Sequence, residues 1–397
     1  MRSDVLRRRL ATQRLTGNAL STATDVVRLL ECVQSQEYAH ALWSLGMRTS
    51  GLTLTDVQAE FDSGSFLRTH ILRRTWHFVA AEDIRWIQQV TAPRVQKLNQ
   101  TIYRQHGLDP VALDRGLAVV AEELEGGRYR TRSELGRALA DRGLASQGIG
   151  LAYIVMHAEL EGVLCSGPVR GAQQTYALLD ERVPRAASVA GDTVELARRF
   201  FFGHGPASVQ DLARWSSLTI SQCRNALDAM KDQLSCLVVE GVELWFDPVL
   251  DSFARVASLR ADRAWSPPTS SSLPDERTPP LAPPQLGGAR SGDMRSSRRP
   301  RALLIPLYDE LTLSYPMINF PQAAGHPHPP GADLFVGCVV ISETNVGLWR
   351  RTVQGRKMIM EITVAPGVLP TAREILETAA VDLAAFVGKQ LELTITG

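Results

Sequence analysis

The residues most open to chemical use are two glutamines, Gln34 and Gln36, flanking Ser35 in the run VVRLLECVQSQEYAHALWSLGMRT, residues 26–49. Amides are poor general bases, so such a pair suits a reaction whose leaving group already departs easily. In a regular helix, residues two apart point about 200° away from each other and could not serve one site. On an extended or turn segment they share a face. The apolar stripe Val26, Val27, Leu29, Leu30 and Val33 ends at the pair, and another starts at Tyr38, Leu42 and Leu45. The helix pattern therefore breaks here, and the chain must bend at Ser35 if both amides act together. Two polar residues at an ordinary helix junction give the same spacing, and both readings stay open on the residues alone.

A second dense stretch is FLRTHILRRTWHFV, residues 66–79. Read as a strand, it places Arg74, Trp76 and Phe78 on one face and Arg73, Thr75, His77 and Val79 on the other. The face with Arg73, Thr75 and His77 is polar and partly cationic, which suits phosphate contacts, a cleft wall or a solvated hairpin surface. His326 and His328 share one side of the GHPHPP loop, but two histidines without acidic or cysteine company are a weak metal signal. G-x-S-x-G, H-E-x-x-H and P-loop motifs are absent, which argues against a metalloenzyme or nucleotide hydrolase. No metal or other cofactor is expected.

The 397 residues suggest several units, and 44% hydrophobic with 21% charged residues is the balance of a globular protein. Lys+Arg 43 against Asp+Glu 42 argues against attachment to nucleic acid by bulk charge, while permitting a local basic cleft. The 5 cysteines are scattered without a C-x-x-C pair, so neither a disulfide framework nor a zinc ribbon is indicated. The N-terminus MRSDVLRRRLATQRL lacks the apolar core of a signal peptide, and no stretch approaches a membrane span. A cytoplasmic location follows as the default.

These residues need elements to position them. One boundary is clear: residues 266–301 hold eight prolines with Ser, Gly and Arg and almost no large apolar side chains. Such a segment buries too little surface to offset its chain entropy and reads as a disordered insertion. Before it, helical grammar recurs. Thr131 with Glu134 predicts a capping box, followed by a short helix, a turn, a longer helix to about Leu160 and a strand. Ser208 with Asp211 starts the same order again, Thr219 with Gln222 caps the next helix, and two strand-like runs meet at Gly241. Short helix, turn, longer helix and hairpin is the order of a winged helix-turn-helix. The N-terminal region reads likewise, with helices at 21–33, 36–46 and near 54–61, then hairpin strands. After the insertion, strand-like runs and one helix carrying Ile375, Leu376, Ala379, Leu383 and Phe386 inward form a small α+β unit. The expected fold is thus mainly α with β-hairpin wings. It has units at 1–115, 116–190 and 191–265, the insertion at 266–301 and a C-terminal α+β unit at 302–397.

The blocks CVQSQEYAHALWSLGMRT, LRRTWHFVAAEDIRWI, GHGPASVQDLARWSSLT, LLIPLYDELTLSY and VGLWRRTVQG, in that order, resemble the winged-helix DNA glycosylases of the AlkZ type, with YcaQ-type relatives in the same superfamily. The resemblance covers nearly the whole chain outside the insertion. It implies three tandem winged-helix units and a β-rich C-terminal region in a C-shaped molecule around duplex DNA. Its catalytic signature falls on Gln34 and Gln36; Ser35 replaces the usual apolar residue between them, and Gln36 stands where the YcaQ branch has Asp. The implied activity is a monofunctional glycosylase acting on N7-alkylated purines and extending to interstrand crosslinks, in base excision repair or self-resistance to a DNA-alkylating natural product. The partner is alkylated double-stranded DNA, met as a monomer. Arg73, Arg74, Thr75, His77, Arg350 and Arg351 become DNA-binding candidates, and Asp309 and Glu310 of the YDE element read as structural. The alternative is a non-catalytic winged-helix protein that regulates transcription or shields adducts.

Overall fold

The computed structural model describes residues 2–250, 301–316, 318–328 and 336–397. The proline-rich segment expected at 266–301 lies, apart from Arg301, outside the described residues. The fold is α+β. After α1 (Arg2–Thr12), the chain forms α2 (Ala23–Leu30), β1 (Cys32–Gln34), α3 (Tyr38–Gly46), α4 (Leu54–Ser63), β2 (Phe66–His70) and β3 (Trp76–Ala80). These strands make an antiparallel sheet in the order β1-β3-β2. The long α5 (Ile84–Gln105) leads to α6 (Pro110–Leu124), β4 (Arg130–Thr131), α7 (Arg132–Asp141), α8 (Gly148–Leu160), β5 (Leu164–Ser166) and β6 (Thr175–Leu178). Their sheet repeats the first topology as β4-β6-β5.

A third round follows α9 (Leu179–Arg182): α10 (Thr193–His204), α11 (Val209–Ser216), α12 (Ile220–Asp228), β7 (Ser235–Val239) and β8 (Val242–Phe246). Here Ala207 bridges Trp245 in the place of a first strand. The last region sets β9 (Ala302–Ile305), α13 (Glu310–Leu313), β10 (Gly337–Ile341), β11 (Thr344–Gln354), β12 (Lys357–Val364), α14 (Leu369–Val387) and β13 (Gln390–Thr396) in sequence. Its sheet runs β13-β12-β11-β10-β9, with β13 parallel to β12. The expected inward stripe of α14 is buried at Leu376, Ala379, Leu383 and Phe386.

The capping boxes at Thr131/Glu134, Ser208/Asp211 and Thr219/Gln222 form as their spacing predicts. One expectation fails: helix does not continue to residue 33. Glu31 takes a left-handed φ of 63° and ends α2, and Cys32 and Val33 then enter a fully buried strand. A short apolar run has no period of its own, so it reads equally as a helical turn.

Packing makes the first region the hub. Val33, Leu42, Trp43, Phe61, Phe66 and Phe78 share a core with the C-terminal sheet and α14. Cys32, Leu67, Ile71, Leu72 and Val79 belong to a second core with α10, α11 and α12. The second region has a core of its own. Close approaches fix these contacts: a Cβ on Gly203 of α10 would lie 2.0 Å from the carbonyl oxygen of Leu29, and one on Gly46 would lie 2.4 Å from the Phe386 ring. The α1 helix serves the third region, with Arg9 donating to the carbonyls of Pro206 and Ile318. Among the described residues, no helix is long and apolar enough to cross a membrane. All five cysteines are free thiols.

Candidate active site

Gln34 closes β1 opposite His77 of β3. The Ser35 N–H donates to the Trp76 carbonyl at 2.8 Å, carrying the ladder one step past the strand. The α3 helix then starts at Tyr38 behind Glu37, an N-cap that makes no side-chain cap bond. No helix runs through the two amides, so the geometry that would have separated them is excluded. Ser35 and Gln36 lie in the joint between the strand and the helix. Gln34 is 9% exposed, and Gln36 is half-buried.

Both ends of Gln34 are held by distant residues. Its backbone N–H donates to Glu310 Oε1 at 2.8 Å. Arg73 Nη2 donates to its side-chain Oε1, also at 2.8 Å. A guanidinium only donates, so the amide atom that meets Arg73 is the oxygen and the amide cannot flip freely. Arg73 Nη2 lies 3.1 Å from His77 Nε2, and His77 Nδ1 is 2.9 Å from the Thr75 carbonyl. The carbonyl must accept, so Nδ1 carries the proton and Nε2 accepts from Arg73. Burial and the adjacent Arg73 hold His77 well below the usual imidazole range, in its neutral form.

Behind this lies the Tyr-Asp-Glu element. Burial raises Glu310, opposed by Arg73 and by the Gln34 N–H, and Ser314 Oγ donates to its other oxygen at 2.8 Å. Burial alone would also raise Asp309, but Arg48 holds it below its ordinary value through two hydrogen bonds of 2.8 Å. Asp309 also accepts from Ser44 Oγ of α3 at 2.6 Å. Asp309 is structural as expected; Glu310, read the same way, in fact touches the motif.

Three residues without glycine's freedom take left-handed φ angles beside these groups: Glu31 (63°), Leu72 (61°) and Tyr308 (66°). They immediately precede β1, Arg73 and Asp309. Each such conformation costs on the order of 1–3 kcal/mol and persists where the surroundings over-determine it. Leu72 is fully buried, which pins the turn that aims Arg73 at Gln34.

Arg68 braces the outer side of the motif. Its Nε donates to the Ser35 carbonyl at 3.1 Å, and its Nη2 makes a long 3.5 Å contact with the Gln36 carbonyl. Its guanidinium lies 4.3 Å from the Trp76 ring centre. Ser35 Oγ is buried and meets no hydrogen-bond partner among the described residues.

The expected DNA contacts divide. Residues 71–75 form a turn rather than strand, so the predicted two-face alternation does not apply to Arg73, Arg74 and Thr75. Arg74 is exposed; Arg73 turns inward. His77 is completely buried and reaches no surface, so a direct phosphate contact is corrected to a place behind Arg73. Thr75 is partly buried and lends its carbonyl to His77. Arg350 is exposed and pairs with Glu361 at 2.6 Å. Arg351 points the other way and donates to the Ala39 carbonyl in α3 at 3.1 Å. Beside it, His40 is pushed down to about 4 by burial and Arg351, and its Nδ1 accepts the Leu307 N–H. Sequence reasoning missed Arg68 and the exposed Arg214 of α11, whose charge reaches Arg73. Neither carries a local signal, because each matters through contacts far along the chain.

The arrangement offers a Gln34 amide oxygen fixed by Arg73, and the carboxylate behind it, Glu310, is buried and occupied. It can orient a hydrogen-bonded water and stabilise developing charge.

Comparison with known proteins gives three findings. The model of the family described as DNA glycosylase AlkZ-like matches residues 27–386. The interstrand DNA cross-link repair glycosylase of Streptomyces sahachiroi is 26% identical over 248 residues, spanning 59% of this chain and 66% of that protein. The solved structure of Streptomyces sahachiroi DNA glycosylase AlkZ superposes with a TM-score of 0.71 at 20% identity, covering 99% of this chain and 98% of that one, a likeness of fold.

Proposed function

Because the chain belongs to the AlkZ-like DNA glycosylase family, we propose that it hydrolyses the N-glycosidic bond of N7-alkylated purines in double-stranded DNA, using Gln34 and Gln36. The observation that carries this reading is Gln34, its side-chain oxygen held by Arg73 and its backbone N–H by Glu310, at an uncapped strand-to-helix joint. The repeated order of helix, strand, two helices and hairpin supports three winged helix-turn-helix units, at 1–115, 116–190 and 191–265, with 302–397 as the C-terminal unit. Unit 1 carries the motif, and the units arrange in a C around duplex DNA as a monomer.

Alkylation at N7 leaves the purine cationic, so its glycosidic bond is already weak. When C1′–N9 breaks, the bonding electrons neutralise the base, and no protonation of the leaving group is needed. Positive charge develops on the sugar. The amide oxygens stabilise it and hold a water whose oxygen adds to C1′, its proton passing to solvent. Fixed dipoles of this kind contribute about 2–4 kcal/mol. Unmodified purines, with poorer leaving groups, are spared. Selection by reactivity rather than by a tight pocket also suits bulky adducts and interstrand crosslinks, where extrusion into a snug cavity is costly. A role in base excision repair or self-resistance to a DNA-alkylating natural product follows from that substrate range.

The test is incubation with a duplex carrying one 7-methylguanine. Free 7-methylguanine and an alkali-labile abasic site are expected, with undamaged duplex untouched. Binding without base release would leave a non-catalytic DNA-binding protein.

A further inference from the structure

A cleft of about 700 Å³ opens beside the motif, between the hairpin of the first region and the helices of the second. Arg68 and Trp76 form one wall; Arg132, Arg137 and Ala140 of α7 and Tyr176 of β6 form another. None of these residues belongs to the Gln34 cluster, yet Arg68 joins the two sites by donating to the Ser35 carbonyl. The cleft therefore begins one guanidinium away from the glutamines.

Its walls are preorganised. The Trp76 indole N–H donates to Glu159 Oε1 at 3.3 Å, with the His70 ring 4.4 Å from its own and the Arg68 guanidinium 4.3 Å from its centre. His70 is in turn bonded to the other Glu159 oxygen. A stack held in this way loses little freedom when a ligand arrives. The volume exceeds what a nucleobase needs and falls in the range of pockets for drug-sized organic molecules, which favour boundaries between structural units. The chemistry is aromatic and apolar deep in the cleft, with the exposed Arg137 as a donor at its mouth. Of the three arginines that line it, Arg68 and Arg132 already donate to the Ser35 and Gly148 carbonyls, while Trp76, Tyr176 and Leu151 supply surface against which a flat hydrocarbon would bury its faces.

We propose that this cleft receives the flat organic substituent of a bulky N7-purine adduct while Gln34 and Gln36 act at its sugar. The assignment rests on the glycosylase reading and adds the part of the substrate that sets specificity. Ala140 and Arg137 are exposed on α7, so substitution at either leaves the core intact.

The experiment compares wild type, Ala140→Trp and Arg137→Ser on duplexes carrying a single 7-methylguanine or a single 7-(naphthylmethyl)guanine, with melting curves taken for each protein. Wild type is expected to release both bases. Ala140→Trp should lower kcat/KM for the naphthylmethyl adduct about tenfold or more, Arg137→Ser about threefold, and both should leave the methyl adduct within about twofold. If both substrates fall together in variants that melt like wild type, the cleft serves the duplex and the proposal is overturned. The same holds if neither substrate falls. Should Ala140→Trp melt lower than wild type, Arg137→Ser decides by the same selectivity. Wild type failing on 7-methylguanine would instead remove the glycosylase reading and leave the cleft without its premise.

Discussion

The first and second regions share one topology but solve the same joint differently. Where β4 passes into α7, Thr131 and Glu134 cap each other's backbone groups, and everything needed lies within four residues. The third region does the same with Ser208 and Asp211. Where β1 passes into α3, the N-cap Glu37 makes no cap bond, Ser35 Oγ is buried without a described partner, and support comes from Arg68, Arg73 and Glu310. Local consistency is what a fold selects for its own stability, and departures from it concentrate where function has another demand. The contrast is what the proposed role of Gln34 and Gln36 requires, and it can be broken.

The largest effect is expected at the amides themselves. Gln34→Ala and Gln36→Ala should each lower single-turnover release of 7-methylguanine about 100-fold or more, the scale for losing one preorganised group. Affinity for undamaged duplex should stay within about threefold. Equal losses of release and binding would mean that the joint is merely structural.

A smaller effect separates two neighbouring arginines. Arg73→Met frees the Gln34 carbonyl, and a drop of about tenfold in the chemical step, or about 1.4 kcal/mol, is expected with little change in duplex affinity. Arg74→Ser should do the reverse, weakening duplex binding and reducing its salt dependence by about one counterion while sparing the chemical step. If Arg73→Met behaves like Arg74→Ser, both arginines contact phosphate and the clamp is incidental.

The same contrast explains what the sequence could convey. Capping boxes, the Gly241 hairpin and the inward stripe of α14 are written in residues a few positions apart, and each forms as its spacing predicts. That no single helix runs through both glutamines was also legible, although the helix ends at Glu31 and the apolar run finishes as strand. What surrounds Gln34 was not legible. Glu310 stands 276 positions from it and Arg73 39, and no spacing rule spans such intervals. Strand β1 was missed because three buried residues are too few to show alternation. His77 was assigned to a surface because a strand pattern gives faces without saying which one is covered.

The finest test of the comparison uses one atom at each joint. Thr131→Ala removes a capping hydroxyl that accepts the Glu134 N–H at 3.3 Å and donates to its carboxylate at 2.9 Å. About 1 kcal/mol of stability should be lost, read as a shift in denaturant midpoint with unchanged slope. Ser35→Ala removes a buried hydroxyl with no described partner, whose desolvation is uncompensated. That deletion should be neutral or stabilising by up to about 1 kcal/mol, and base release should persist because the Ser35 N–H and carbonyl remain in place. The two substitutions delete hydroxyls from neighbouring positions on the same topology, yet opposite signs are expected. A loss at Ser35 as large as the one at Thr131 would show that its hydroxyl has a partner in solution, and the first joint would then be capped after all.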